Sequence, residues 1–100
     1  VDYNLQICLD MGHALAYGQH ALLERQALLH RAGTIHVNAP GRGKEKGRHL
    51  PLTALSSEES ALAERMLCAV PKEAVVMLEF FSWPHIEESL PLARRWLGRA

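Results

Sequence analysis

The sequence predicts an α/β fold in which parallel strands alternate with helices. Three observations carry this. Branched and apolar residues gather in three short runs, at 5–9, 34–38 and 75–80. Stretches of good helix formers lie between and after them, at 20–31, 56–70 and 84–97. A strand that returns to its neighbour through a helix makes a right-handed crossover, so the strands run parallel. The length, 100 residues, allows one domain, residues 1–100.

The first run, Leu5-Gln6-Ile7-Cys8-Leu9, alternates in character and ends at Asp10. Residues 11–19 contain Gly12 and Gly18 and read mostly as loop. Residues 20–31 read as a helix carrying Leu22, Leu28 and Leu29, with Gly33 as its stop. Thr34-Ile35-His36-Val37-Asn38 is the second strand. Residues 39–53 read as a loop, because Pro40, Gly41, Gly43, Gly47 and Pro51 oppose regular structure. Ser56 followed three residues later by Glu59 is a capping box. It opens a helix with Leu62, Met66 and Leu67 on one side, stopped by Pro71. Val75-Val76-Met77-Leu78-Glu79-Phe80 is the third strand. The last helix carries Ile86, Leu90, Ala93 and Leu97 in one stripe, and Pro91 is expected to kink or split it.

Lys and Arg number 11, Asp and Glu also 11, so the formal charge is zero. That balance argues against a general nucleic-acid or anionic-membrane binder. Apolar residues at 48% are too many for a disordered chain. No apolar run approaches the roughly 20 residues of a membrane span. Two cysteines make at most one bridge, and no signal-peptide pattern opens the chain. The expectation is a soluble cytoplasmic protein. The chain opens on Val1 almost directly in a strand-like run, which reads as a processed or incomplete chain.

Side chains alternate across a strand. Leu5, Ile7 and Leu9, then Ile35 and Val37, then Val76, Leu78 and Phe80 give each strand one apolar face, suited to lie under helices. Each opposite face carries a metal-competent side chain near the strand's C-terminal end: Asp10, His36 and Glu79. In parallel α/β folds, sites form at those ends. Alone, Asp10 reads as a strand-end cap and His36 as a satisfied core histidine. In one phase and at one strand end, the three together favour a metal site. Glu79 is expected to be largely buried and so to need a cation or hydrogen bonds. Mixed carboxylate and imidazole ligands suit Mn²⁺, Zn²⁺, Co²⁺ or Fe²⁺ better than Ca²⁺.

His13 and His49 follow at loop positions on the same rim, as ligands, substrate contacts or plain loop residues. His20, His30 and His85 read as helix-surface or turn residues, Cys8 as a buried small hydrophobe and Cys68 as a helix residue. Trp83 and Trp96 read as packing residues, with Trp83 near enough to the third strand to line a site. Arg42, Lys44, Lys46 and Arg48 make the long loop locally cationic, with only Glu45 opposing. They read either as a solvated loop or as a phosphate contact.

Taken as an ordered set, Leu9-Asp10-Met11-Gly12-His13, His36-Val37-Asn38, His49-Leu50-Pro51-Leu52 and Leu78-Glu79-Phe80-Phe81 resemble the xylose-isomerase-like TIM-barrel superfamily. That group includes sugar isomerases and epimerases and the endonuclease IV type of nuclease. The resemblance runs from about Leu5 to Leu97 and implies the last three βα units of a (β/α)8 barrel. Within the group, Cys8 to His13 and Glu79-Phe80-Phe81-Ser82 are most similar to the cobamide-remodelling phosphodiesterases. Ala39 and Gly47 stand where endonuclease IV has aspartates, which weighs against a trinuclear zinc site.

The resemblance implies metal-dependent hydrolysis of a phosphodiester, with a cobamide nucleotide loop as substrate. Asp10, His36 and Glu79 then hold a divalent metal, Zn, Mn or Co. His13 and His49 hold a second metal or orient substrate, and Glu79, His13 and His49 form the catalytic set. Arg42, Lys44 and Arg48 contact the phosphate. The partners implied are a small-molecule substrate and the missing N-terminal part of the barrel, with no membrane and no nucleic acid. The alternatives are a metal-dependent sugar or sugar-phosphate isomerase or epimerase of the same superfamily, and a non-catalytic barrel fragment.

Overall fold

The computed structural model describes residues 6–98. Its elements, in chain order, are β1 (Ile7–Asp10), α1 (Met11–Ala16), a 3-10 turn (His20–Glu24), α2 (Gln26–Leu29), β2 (Ala32–Val37) and β3 (Ala39–Pro40). There follow a 3-10 turn (Gly43–Glu45), β4 (His49–Leu50), a 3-10 turn (Leu52–Ala54), α3 (Ser57–Ala69), β5 (Val75–Leu78) and α4 (Trp83–Trp96). The fold is mixed α/β. Leu5 of the expected first strand lies outside the described residues.

β1, β2 and β5 form one parallel sheet with β2 in the centre. Leu9 pairs with Ile35 and Asp10 with His36; on the other side Ile35 pairs with Val76 and Val37 with Leu78. The expected apolar face is the covered one. Leu9, Ile35 and Val37 are buried beneath Leu29 of α2, Ala63, Met66 and Leu67 of α3, and Ala93 and Trp96 of α4. The opposite face is open. Val75 is 56% exposed and Met77 49%. Cys8, expected inside, is exposed, because it lies on the edge strand and on this uncovered face.

Four expectations about elements need correction. Residues 11–16 are helix rather than loop. Met11, Ala14 and Leu15 bury one side of it, and the Asp10 carboxylate caps it by accepting from the His13 N–H at 2.9 Å. Residues 20–31 are not one helix but a 3-10 turn and a single α-turn, broken at Arg25. Leu23 and Leu29 are both buried. Six residues apart, they would point about 120° from each other on a straight helix. The break lets both reach the core.

The loop at 39–53 is also partly ordered. β3 and β4 pair antiparallel, Ala39 with Leu50 and Pro40 with His49. The turn between them closes on Gly41, whose N–H donates to the Arg48 carbonyl at 3.0 Å. A Cβ on Gly41 would overlap the Glu45 carbonyl, so only glycine fits. Last, α4 runs unbroken through Pro91. Pro91 is exposed, so water can satisfy the Glu87 carbonyl that lacks its helical partner.

α3 follows the sequence reading. The Ser56 hydroxyl accepts from Glu59 N–H, and Glu59 Oε1 accepts from Ser56 N–H, at 3.2 and 3.1 Å. Ser89 of α4 is fully buried, and its hydroxyl accepts the Leu52 N–H at 2.9 Å. This bond fastens the end of the long loop to α4. Trp96 packs in the core as expected, whereas Trp83 is 69% exposed. No described helix is long and apolar enough to cross a membrane.

Candidate metal centre

The pairing register brings the three expected side chains together. Asp10 and His36 are direct partners across β1 and β2. Glu79 lies two residues beyond Met77, the partner of His36, and so on the same face. Its N–H continues the ladder by donating to the Val37 carbonyl at 3.1 Å. Asp10, His36 and Glu79 each offer a donor atom, and these atoms lie within 4.8 Å of one another.

His36 Nδ1 is 2.9 Å from Glu79 Oε2. Two ligands at right angles, each about 2.1 Å from one ion, are about 3.0 Å apart, and two ligands on opposite sides about 4.2 Å. The His36–Glu79 spacing meets the first figure, whereas a spacing of 4.8 Å exceeds the second by about 0.6 Å, so the side chains must close on an ion to hold it. One imidazole and two carboxylates fit a borderline divalent cation of the Zn²⁺ or Mn²⁺ kind.

Glu79 differs from expectation in its burial. Its side chain is 31% exposed, since His36, His49 and Asn38 cover it only in part. Three groups surround its carboxylate. His36 approaches Oε2, His49 Nδ1 lies 3.4 Å from Oε1, and the Asn38 amide donates to Oε1 at 3.3 Å. His49 Nδ1 is also 3.1 Å from the Glu79 carbonyl oxygen, and its ring stacks on Phe81 with centroids 5.1 Å apart.

His13 is placed otherwise. Its backbone N–H is tied to Asp10, its ring is exposed, and the ring packs against Tyr17 with centroids 4.5 Å apart. It lies outside the three-ligand group. His30 is exposed and His85 makes an edge contact with Phe80; neither belongs to the three-residue group.

Asp10, His13 and His49 line a cavity of about 470 Å³ together with Arg42, Lys46 and Arg48. Of the three cations expected there, Lys44 does not line it; Lys46 does. Arg42 is also engaged elsewhere. It pairs with Glu59 at 2.7 Å and donates to the Leu15 carbonyl at 3.4 Å. Burial works to raise the Glu59 carboxyl, but hydrogen bonds from Ser56 and Arg42 and the Arg42 charge outweigh it, holding Glu59 below its ordinary 4.5. Arg48 pairs with Glu45 at 3.2 Å on the surface.

Asn38 is the residue that sequence reasoning passed over. It is 2% exposed and continues the His36 face beyond β2. An amide one alternation from His36, on the same face of the strand, was the signal available in the sequence. No family model, no curated protein and no solved structure matches this chain.

Proposed function

We propose that the chain provides the metal-holding strand ends of a metal-dependent phosphodiester hydrolase. On this reading the three parallel strands and their helices are the last three βα units of a TIM barrel. One observation carries the reading. An Asp, a His and a Glu from three adjacent parallel strands meet at their C-terminal ends, with donor atoms within 4.8 Å. Such ends are where parallel α/β folds place their chemistry. A divalent cation there would supply a Lewis acid that lowers the pKa of a bound water towards neutrality.

The chain's own side chains serve the rest. Asp10, His36 and Glu79 bind and orient the cation. His49, 3.4 Å from Glu79, stands between this group and the cavity and orients substrate or accepts a proton. His13, which also lines the cavity, does the same. Lys46 on the cavity wall, with Arg42 and Arg48 beside it in their pairs with Glu59 and Glu45, favours a substrate carrying an anionic phosphoryl group over a neutral ketose. The resemblance makes a cobamide nucleotide loop the substrate.

The test is elemental analysis and turnover on the purified full-length protein and folded variants. Wild type and His30→Ala should retain metal, whereas His36→Ala and Glu79→Gln should lose it. With metal supplied, a cobamide should release a phosphate-bearing fragment and a free ketose should remain unchanged. Full occupancy in both His36→Ala and Glu79→Gln overturns the site. Ketose epimerisation without phosphodiester cleavage overturns the reaction.

A further inference from the structure

The Glu79 carboxylate is not held symmetrically. Oε2 faces His36 at 2.9 Å. Oε1 is turned the other way, towards the Asn38 amide at 3.3 Å and His49 at 3.4 Å. A carboxylate only accepts, so the Asn38 group facing it must be the N–H₂, and the amide orientation is fixed. Asn38 is itself immobilised. It is 2% exposed, and its other end lies against Gly12 in the first turn of α1. A Cβ on Gly12 would overlap Asn38 Oδ1. The missing side chain in α1 is therefore the space in which the Asn38 amide sits.

We infer that Asn38, seated against Gly12, is a positioning residue that occupies Glu79 Oε1 and leaves Oε2 as the one oxygen presented to a metal. The inference rests on the metal reading above and adds to it how Glu79 binds. Hydrogen-bonded partners behind metal ligands fix ligand orientation, and their loss weakens metal affinity by about 10–100-fold. Two substitutions reach the same amide by different routes. Asn38→Leu keeps the volume and removes the donor. Gly12→Ala leaves Asn38 in the chain but fills its seat, while improving the helix propensity of α1.

The experiment is Co²⁺ titration of the full-length protein and both variants, followed by the visible absorption of the bound ion. Both variants should bind about 10–100-fold more weakly than wild type. Their saturated spectra should shift, because Oε1 then keeps only the His49 approach at 3.4 Å and can turn towards the ion. Wild-type affinity in both variants overturns the inference while leaving the metal site standing. So does weakened binding with an unshifted spectrum, which would make Asn38 a packing residue. Absence of Co²⁺ binding by the wild type overturns the metal reading, and this inference with it.

Discussion

Replacing Ser89 with Ala should cost more than the loss of one hydroxyl suggests. Ser89 and Leu52 are 0% and 1% exposed, and the Ser89 hydroxyl accepts the Leu52 N–H at 2.9 Å. Leu52 opens a 3-10 turn, so its N–H has no partner within that turn. In Ser89→Ala it stays buried without one. A stranded buried donor costs about 1–3 kcal/mol. Alanine returns about 0.5 kcal/mol in helix propensity. The net is about 1–2 kcal/mol, since the void left by one oxygen is too small to add much. At about 2–4 °C per kcal/mol for a whole barrel domain, the melting temperature should fall by about 2–8 °C. Urea unfolding of the full-length protein measures the first quantity. Hydrogen exchange at the Leu52 amide locates it, because that amide loses its partner. A change below about 0.5 kcal/mol with the Leu52 amide still protected would refute the reasoning.

Three further outcomes are expected. Glu59 is held below its ordinary 4.5, so its pairing with Arg42 stabilises the fold fully above that pH and fades as pH falls through the lower folded value. The stability gap between wild type and Arg42→Ala should therefore narrow below pH 4.5, and a constant gap between pH 7 and pH 3 would count against it. Pro91→Ala should raise stability by about 1–3 kcal/mol, since it restores a helical N–H in α4 at an exposed position; unchanged unfolding in urea would mean that α4 is not strained there. The 100 residues produced alone should not behave as a stable monomer, because among the described residues β1 and β5 each leave one edge unpaired, and Val75 and Met77 on one sheet face meet water. Monomeric mass by sedimentation together with a cooperative thermal transition would contradict this.

The parts of the fold legible in the sequence were those set by short-range chemistry. The capping box at Ser56 and Glu59 announces α3, and branched runs announce β2 and β5. The same logic exposed the site. Side-chain alternation put Asp10, His36 and Glu79 in one phase, and parallel pairing in register did the rest. What stayed hidden depends on distant neighbours. Gly12 reads as a helix breaker until Asn38 is seen to need its space. Asn38 reaches Glu79 across 41 positions of chain. The exposure of Cys8 and the half-burial of Glu79 follow from what covers the sheet's second face, which alternation along a strand does not encode. The broken segment at 20–31 looked continuous because its composition suits a helix, while the need to bury both Leu23 and Leu29 does not.

Asp10 has two employments, and this bears on how any substitution there is read. One carboxylate oxygen accepts from the His13 N–H and starts α1; the group as a whole also contributes a donor to the three-residue cluster. Asp10→Ala thus confounds two deletions, a ligand and a helix cap. Asp10→Asn separates them, because its amide oxygen can still accept from His13 while the negative charge is gone. The stability difference between the two variants, about 1 kcal/mol, measures the cap alone. The deficit they share measures the charge. Because α1 carries Gly12 and His13 and is capped by Tyr17, all three lining the cavity, a loosened cap also reshapes one wall of it. Ligand and wall are thereby yoked through a single side chain.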